Sequence, residues 1–255
     1  MTKTAIVTGA SQGIGRATAI RLARDFGNVV LVARNAGKLE DTASEVAKAG
    51  ASALVIAVDL SEATAADAIV NQTLERFGRI DALVNIAGDV PQIDLFQMSD
   101  EQWDAGMSLK FHGARRLTIR AWEALKATQG SVVLTSGNSA TVPKAAFAAV
   151  AAINAAIVSL AKAFSERGIH DGVQVNSVLP GPVMTGRREA FLNKWSEANN
   201  MSVQEAQTKF LGVADIARYG QPEEIAELMA FLVSPAAKWM TGSAIRMDGG
   251  EIKAA

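Results

Sequence analysis

The sequence predicts an α/β fold in which a doubly wound, seven-stranded parallel sheet carries helices on both faces. Short apolar runs alternate with longer helical patterns along the whole of the 255 residues. The runs are continuously apolar, which is expected of parallel strands that are buried on both faces. A glycine-rich stretch, TGASQGIG, follows the first run directly, at the point where such sheets turn from a strand into a helix.

Each element follows from this alternation. Strands are predicted at residues 4–8, 29–33, 53–59, 82–85, 132–136, 173–178 and 244–247. Helices are predicted at residues 13–26, 38–49, 62–77, 100–128, 148–167 and 222–233. Residues 186–218 depart from the rhythm as a long polar and aromatic insertion, and loops of this kind are often lids over sites. We therefore predict a single domain over residues 1–255 with a lid insertion at 186–218.

The composition excludes several classes of function. A net charge of −1 gives no basic surface for nucleic acid. The absence of cysteine and the presence of only two histidines argue against a thiolate nucleophile and a metal site. No apolar run approaches the roughly 20 residues that span a bilayer, and the start MTKTAIVTGA has no signal-peptide pattern. We expect a cytoplasmic protein that acts on a small molecule and has no metal, nucleic-acid or membrane partner.

The glycine spacing Gly9-x-x-x-Gly13-x-Gly15 follows a strand and opens a helix. Glycine is needed where the backbone turns sharply and where a pyrophosphate must approach it closely. The helix N-terminus then offers free N–H groups and a positive dipole to the phosphates. This arrangement predicts a Rossmann-type dinucleotide site.

Four further motifs follow the glycine loop in order. They are VDL at 58–60, NIAG at 85–88, NSVLPGPVMT at 176–185 and MDGG at 247–250. With these motifs the chain resembles the classical short-chain dehydrogenase/reductase (SDR) family over essentially its whole length. The resemblance implies an NAD(P)-dependent oxidoreductase. It also implies a homotetramer or homodimer formed through the helices predicted at 100–128 and 148–167, where small residues would permit close packing: Ala151, Ala152, Ala155 and Ala156.

The resemblance assigns cofactor contacts along the chain. The pyrophosphate would be held by Gly9, Ser11, Gln12, Gly13, Ile14 and Gly15. Asp59 would accept a hydrogen bond from the adenine amino group with Leu60 packed beside it, although Asp59 could also simply cap the end of its strand. The nicotinamide ribose would be lined by Asn85, Ala87 and Gly88, and the carboxamide positioned by Pro180, Gly181, Val183 and Thr185.

The end of the second strand bears on which dinucleotide is preferred. An acidic residue there would bind the ribose 2′-OH and repel a 2′-phosphate, but the position holds Ala33. Arg34 follows it and can pair with a phosphate. Gln12 gives no support, because a basic residue often occupies that position when the cofactor is phosphorylated. We predict NADP(H) over NAD(H), the alternative being that Arg34 is a solvated charge that stacks on adenine.

The catalytic positions implied by the resemblance depart from the family pattern. The Asn, Ser, Tyr and Lys of the family tetrad fall on Lys110, Gly137, Val150 and Asn154. Lysine and asparagine have thus exchanged positions, the alternative being independent drift in an inactive site with Lys110 paired to a surface acid. Valine at position 150 has no proton to give. Because residues four apart share a helix face, Val150 and Asn154 are both expected to face the cofactor. Ser136 flanks the position of the missing serine.

Three interpretations stay open for the chemistry. Lys110, if desolvated, could donate the proton, with Asn154 beside it. The substrate could instead carry its own proton, as an iminium does, or the protein could bind a dinucleotide without redox chemistry. Ser136, Ser139 and Lys144 could orient a substrate, although ordinary polar loop positions explain them more simply. The retained insertion and the exchange favour an oxidoreductase of a small carbonyl, alcohol or imine, whereas the lost tetrad favours a catalytically silent binder.

The insertion carries two adjacent arginines, Arg187 and Arg188, among aromatic residues. As part of a lid, they could meet a carboxylate or a phosphate. Alternatively, the insertion is an amphipathic helix with a solvated basic face.

Overall fold

The computed structural model describes residues 2–253, and its centre is one seven-stranded parallel sheet in the order β3-β2-β1-β4-β5-β6-β7. The strands are β1 Thr4–Thr8, β2 Asn28–Ala33, β3 Ser52–Ala57, β4 Ala82–Asn85, β5 Ser131–Thr135, β6 Gln174–Pro180 and β7 Ala244–Met247. The predicted Rossmann-type fold class is confirmed.

Nine α-helices are present in the described range. They are α1 Gly13–Leu22, α2 Ala36–Lys48, α3 Ala65–Phe77, α4 Asp100–Gly106, α5 Gly113–Thr128, α6 Ala148–Asp171, α7 Gly186–Ala198, α8 Val203–Ala214 and α9 Pro222–Leu232. The segment predicted as one helix over 100–128 is divided, because a π-helical turn, Met107–His112, joins α4 to α5. The predicted lid insertion contains α7 and α8.

The core lies on both faces of the sheet. Neighbouring residues of β1 face opposite ways, so that Val7 packs in a cluster with α1, α2 and α9. Ile6 packs in a second cluster with α3, α5 and α6. Both side chains are fully buried. Because every central strand is covered on both sides, its apolar sequence is continuous, which is the pattern that made the strands recognisable.

The strand order reverses at β1, which pairs with β2 on one side and β4 on the other. The connections that follow β1 and β4 therefore run to opposite faces and leave a crevice at the carboxyl ends of these strands. The two loops touch there: a Cβ added at Gly9 would lie 3.0 Å from the backbone nitrogen of Ala87. The topology thus brings the glycine loop and the NIAG turn to one place.

Helix α6 corrects one expectation about apolar segments. Together with the turn before it, the segment Ala145–Asp171 is long and apolar enough to cross a membrane by length and composition, so the expectation that no run approaches this length is wrong. Ala149, Ile153, Ile157 and Ala161 form a buried line along this helix. The helix covers β5 and β6 with that line.

Candidate functional site

A cleft of about 550 Å³ lies at the carboxyl ends of the central strands. Most of the predicted cofactor residues line it: Gly9, Ser11, Gln12, Gly13, Ile14, Gly15, Arg34, Leu60, Ala87, Gly88 and Thr185. Residues that are distant in sequence therefore meet at one cleft, as the motifs predicted. Their individual contacts to a dinucleotide stay predictions.

The glycine loop has a backbone geometry that other residues would disturb. Gly13 has a φ of +54°, in the left-handed region. A Cβ added at Gly15 would overlap the carbonyl oxygen of Gly9. Gln12 precedes α1 without capping it through its side chain, which leaves the first N–H groups of the helix available. Free N–H groups at a helix N-terminus in an open cleft fit a pyrophosphate.

We expect Gly15→Ala to weaken NADPH binding by more than about tenfold, because the loop must move away from Gly9 to admit the methyl group. Titration by nicotinamide fluorescence measures the effect. Gly212→Ala is the matched control, since a Cβ there meets nothing within 4 Å. Equal affinity of the wild type and Gly15→Ala would show that the dinucleotide does not contact this loop.

The far end of the cleft contains two basic residues. Arg34 follows β2 and is exposed in the cleft, beside Ala33. Lys38, which the sequence analysis did not name, also lines the cleft, and its Nζ donates to Oε1 of Gln12 at 3.1 Å. Gln12 thus positions a cation although it carries no charge. The only signal for Lys38 in the sequence was a second basic residue one helical turn after Arg34.

Three predicted contact residues, Asp59, Asn85 and Val183, do not line the cleft, and the first two already form hydrogen bonds. Asp59 Oδ1 accepts from the backbone N–H and the hydroxyl of Ser61, at 2.9 and 2.8 Å. The backbone hydrogen bond in particular lowers the pKa of Asp59. This is the capping role weighed as the alternative, and the adenine contact stays a prediction. Asn85 is buried and donates to Thr118 at 3.3 Å. Val183 is also buried.

A second cavity, of about 510 Å³, lies between α6, the end of β6 and the insertion. We refer to it as the substrate cavity. Val150 and Asn154 of α6 both line it, as their spacing predicted. Gly137, Pro180 and Gly181 line it as well. The positions that correspond to the family tetrad on β5 and α6 therefore open onto this cavity.

Lys110 lies between the cleft and the substrate cavity. Its Nζ donates to Asn154 Oδ1 at 2.5 Å and to the backbone oxygen of Ser136 at 3.2 Å. Its aliphatic stem packs on Gly88, where an added Cβ would lie 2.8 Å from Lys110 Cδ. The exchanged lysine and asparagine are thus in direct contact, with Gly88 in the cleft wall and Asn154 in the cavity wall.

The π-helical turn explains why the side chain of Lys110 points towards α6. A π turn changes the direction of the side chains within an otherwise regular helix, and such turns are frequent at functional sites. Beyond the turn, Leu117 and Leu125 of α5 are fully buried against the sheet. Within it, Lys110 points towards α6. The turn lets one continuous segment serve both the core and the site.

The electrostatics of Lys110 are unusual for a lysine. Burial lowers the pKa of its ammonium to about 7, and the positive charge of Arg187 acts in the same direction. The ammonium and the neutral amine therefore coexist near neutral pH. This is the property required of a group that gives or takes a proton under ordinary conditions.

The two serines beside the site have different positions. Ser136 is buried, lines neither cavity, and donates its hydroxyl to the backbone oxygen of Asn154 at 2.7 Å. Its position therefore argues against the predicted contact with substrate and for fixing α6 to β5. Ser139 lines the substrate cavity and accepts from Asn154 Nδ2 at 2.9 Å. Because Ser139 accepts this hydrogen bond, its own O–H is left to donate.

The missing serine and the asparagine amide share one space. A Cβ added at Gly137 would lie 2.8 Å from Asn154 Nδ2. The absence of a side chain at Gly137 therefore lets Asn154 reach Ser139. Of the two serines that flank Gly137, Ser139 therefore lines the cavity and Ser136 does not.

The two adjacent arginines of the insertion line different cavities. Arg187 lines the cleft and donates to the backbone oxygens of Gly88, at 3.4 Å, and Val90, at 2.5 Å. Arg188 lines the substrate cavity. Helix α7 thus contributes to both sites from its first turn, in agreement with an insertion placed over them.

The fold and the cleft together define a dinucleotide-binding α/β protein, because a glycine loop opens a helix at the reversal point of a parallel sheet. A family model described as enoyl-(acyl carrier protein) reductase matches residues 9–251. The chain belongs to the classical short-chain dehydrogenase/reductase family. Membership makes it an NAD(P)-dependent oxidoreductase by class, with a nicotinamide dinucleotide as its cofactor.

Individual relatives cover nearly the whole chain. The 3-oxoacyl-[acyl-carrier-protein] reductase FabG of Staphylococcus aureus is 30% identical over 252 residues, which are 98% of each protein. The structure of L-sorbose reductase from Gluconobacter frateurii, complexed with NADPH and L-sorbose, has a TM-score of 0.93 at 30% identity and covers 100% of this chain and 98% of that one. YwfH, an NADPH-dependent reductase involved in bacilysin biosynthesis, has a TM-score of 0.93 at 28% identity, with full coverage of both chains.

Proposed function

We propose that the protein is an NADP(H)-dependent oxidoreductase that interconverts a small carbonyl compound or imine with its alcohol or amine, and that Lys110 serves as the proton donor. The hydrogen bond from Lys110 to Asn154 carries this proposal. It brings a cation with a pKa of about 7 to the wall of a cavity beside the cofactor cleft. The NADPH complex of L-sorbose reductase and the NADPH dependence of YwfH support the phosphorylated cofactor.

The cofactor would be held by this chain's own loops. The N–H groups at the start of α1 would bind the pyrophosphate, and Arg34 with Lys38 would bind the 2′-phosphate. Gly88 and Thr185 would border the nicotinamide end. When bound, a reduced nicotinamide supplies the hydride that such a reduction needs.

Ser139 and Lys110 would divide the handling of the substrate oxygen. The Ser139 hydroxyl would donate a hydrogen bond to that oxygen and hold it in place. As negative charge develops on the oxygen, the positive charge of Lys110 behind Asn154 would stabilise it. Because Lys110 does not itself line the cavity, its ammonium would finally pass a proton to the oxygen through one intervening water and become a neutral amine. An imine substrate would need only the positioning, because its iminium already carries a proton.

A second candidate function is dinucleotide binding without catalysis. The observation that favours it is Val150, which gives the substrate cavity an apolar wall where the family resemblance implies a proton donor. NADPH binding combined with no consumption of NADPH on aldehydes, ketones, imines or oxo acids would support this candidate against the first.

We expect Ser139→Ala to lower kcat/KM for reduction about tenfold, as the loss of one hydrogen bond to the reacting oxygen does, and to leave NADPH affinity unchanged. Steady-state kinetics and an NADPH titration measure the two effects. Ser159→Ala, at an exposed position of the same helix α6 that carries Asn154, is the control. An unchanged kcat/KM in Ser139→Ala would remove Ser139 from the mechanism.

We also propose that the protein is cytoplasmic and forms a homodimer or homotetramer through α5 and α6. Ala152 and Ala155 are exposed on α6 and present a face without long side chains. Ile119 of α5 is 53% exposed, which is unusual for a large apolar residue. These features support close helix packing between copies of the chain.

A further inference from the structure

Arg188 is a cation without an anionic partner inside the substrate cavity. Its guanidinium carbon lies 4.6 Å from the centre of the Phe210 ring and 5.3 Å from that of Phe191. Among residues 2–253 its guanidinium forms no hydrogen bond and no ion pair. By contrast, Arg218 of the same insertion is paired with Glu224 at 2.6 Å. Two aromatic rings thus orient Arg188 and leave its N–H donors uncommitted.

The surroundings of Arg188 penalise its charge. The residue is half-buried, and burial lowers the pKa of its guanidinium. An enclosed cation without a carboxylate costs stability, and proteins retain such groups mainly where a ligand completes the pair. Guanidinium offers two parallel N–H donors, which match the two oxygens of a carboxylate.

Glu251 is the best candidate for an internal partner of Arg188, because its negative charge acts on the guanidinium. It is held elsewhere: Asn138 Nδ2 donates to Glu251 Oε2 at 2.8 Å and to Asp248 Oδ2 at 2.9 Å. The other groups that act on Arg188 are the Tyr219 hydroxyl, which donates to the backbone oxygen of Gln207, and the cation Arg187. None of these groups pairs with the guanidinium.

Asn138 gives a second, independent sign of a ligand. Only 7% of Asn138 is exposed, it lines the substrate cavity, and its Oδ1 has no hydrogen-bond partner in the described part of the chain. A buried acceptor without a donor is rare and needs an explanation. A small reorganisation of the Asn138 amide around a bound polar molecule would satisfy it.

The charged side chains that line the cavity indicate the charge of the anion that it would bind. Its lining includes Arg188, Lys144, Lys253 and Glu251. Lys253 is paired with Asp215 at 3.0 Å, so two cations and one carboxylate are left. One net positive charge matches a monoanion better than a phosphate dianion.

We propose that the substrate cavity is specific for carbonyl compounds that carry a carboxylate, and that Arg188 binds this carboxylate while Ser139 and Asn154 face the reacting group. The three side chains line the same cavity, so one molecule can engage both ends. This inference rests on the proposed oxidoreductase function for the reaction, but the binding of the carboxylate does not depend on turnover.

The test compares oxo acids with their methyl esters on the complex with oxidised cofactor. Pyruvate, acetoacetate and levulinate are each titrated beside the matching methyl ester, and binding is followed by tryptophan fluorescence, to which Trp195 contributes from its stack on Phe191 at 6.2 Å. At least one acid is expected to bind about ten- to a hundredfold more tightly than its ester, as a charge-assisted pair requires. Equal binding of acids and esters overturns the proposal.

Variants separate Arg188 from the general charge of the protein. Arg188→Gln is expected to abolish the preference for acid over ester, and Arg188→Lys to retain part of it, because lysine keeps the charge without the bidentate geometry. Arg218→Gln is the control in the same insertion, and an unchanged NADPH affinity shows that each variant is folded. A preference that survives in Arg188→Gln overturns the role of Arg188.

Three further outcomes keep the proposals distinct. Tighter binding of a phosphonate analogue than of the matching oxo acid would contradict the carboxylate assignment. Preferential binding of oxo acids without consumption of NADPH would support the carboxylate site and count against the proposed reaction. Consumption of NADPH with acids and esters alike would do the reverse.

Discussion

Replacement of Lys110 by methionine is expected to lower kcat for reduction about 10²- to 10⁴-fold, the range typical for loss of a general acid. Methionine keeps the apolar stem that packs on Gly88 but removes the ammonium that contacts Asn154. The fold should therefore persist while the proton source is lost. Steady-state kinetics with NADPH and circular dichroism measure these two properties.

The pH dependence of the wild type provides a second measurement on the same residue. With a pKa of about 7, Lys110 is mostly ammonium below that pH and mostly neutral amine above it. Reduction consumes the proton of the ammonium, so its rate should be high below pH ~7 and fall as the pH rises through this value. Oxidation of the alcohol needs the neutral amine and should show the opposite profile.

Two further variants show whether the effects on kcat and on the pH profile come from proton transfer by Lys110. Lys162→Met removes an exposed lysine of α6 that is paired with Glu166, and it should leave both kcat and the pH profile unchanged. Lys110→Arg keeps the positive charge but cannot release its proton near neutral pH. Full activity of Lys110→Arg would reduce Lys110 to an electrostatic role. An unaltered pH profile in Lys110→Met would remove it from the chemistry.

The cofactor preference should change strongly when the adenosine end of the cleft is altered. Loss of a charge-assisted hydrogen bond costs about 1.5–3 kcal/mol, so Arg34→Ala with Lys38→Ala should weaken NADPH binding by about a hundredfold or more. NADH lacks the 2′-phosphate and should be affected little. Adding Ala33→Asp should then favour NADH, because the carboxylate binds the ribose 2′-OH and repels a phosphate.

Dissociation constants for NADPH and NADH, measured side by side, decide the point. Lys48→Ala is the matched control, since Lys48 lies at the other end of α2 and pairs with Glu45 on the surface. Equal losses for NADPH and NADH in Arg34→Ala would show that Arg34 stacks on adenine. A phosphate preference that survives loss of both cations would place the 2′-phosphate contact elsewhere.

The strands and most helices were predictable because burial on both faces of a parallel sheet leaves a local mark, a run of apolar residues. The π-helical turn was not, since Met107–His112 contains no residue that breaks an α-helix. Its cause lies in contacts with distant parts of the chain. A Cβ at Gly113 would lie 2.9 Å from the backbone oxygen of Leu60, which shows how tightly α5 is seated there.

The candidate site was predictable for residues whose place in the fold follows from their position in the sequence. Lys110 and Asn154 could be paired before the structure was known, because the family resemblance implies that these two positions face each other. Ser139 was not distinguishable from Ser136, because the path of the loop after β5 decides which hydroxyl reaches the cavity. Lys38 was missed for a similar reason, since its partner Gln12 lies in another loop.

Because of the π-helical turn, the contact between Lys110 and Asn154 depends on the number of residues in Met107–His112 as well as on their identity. Such a turn is an α-helix that has accommodated one additional residue. Deleting the codon for Phe111 or His112, which lie between Lys110 and α5, would restore regular helix and rotate α4 together with Lys110 relative to α5 by about 100°. The buried side of α5 would keep its place, while Lys110 would swing away from Asn154. A related sequence with this one deletion would therefore keep Lys110, Gly137, Val150 and Asn154 and the entire sheet, but it would lose the contact between Lys110 and Asn154.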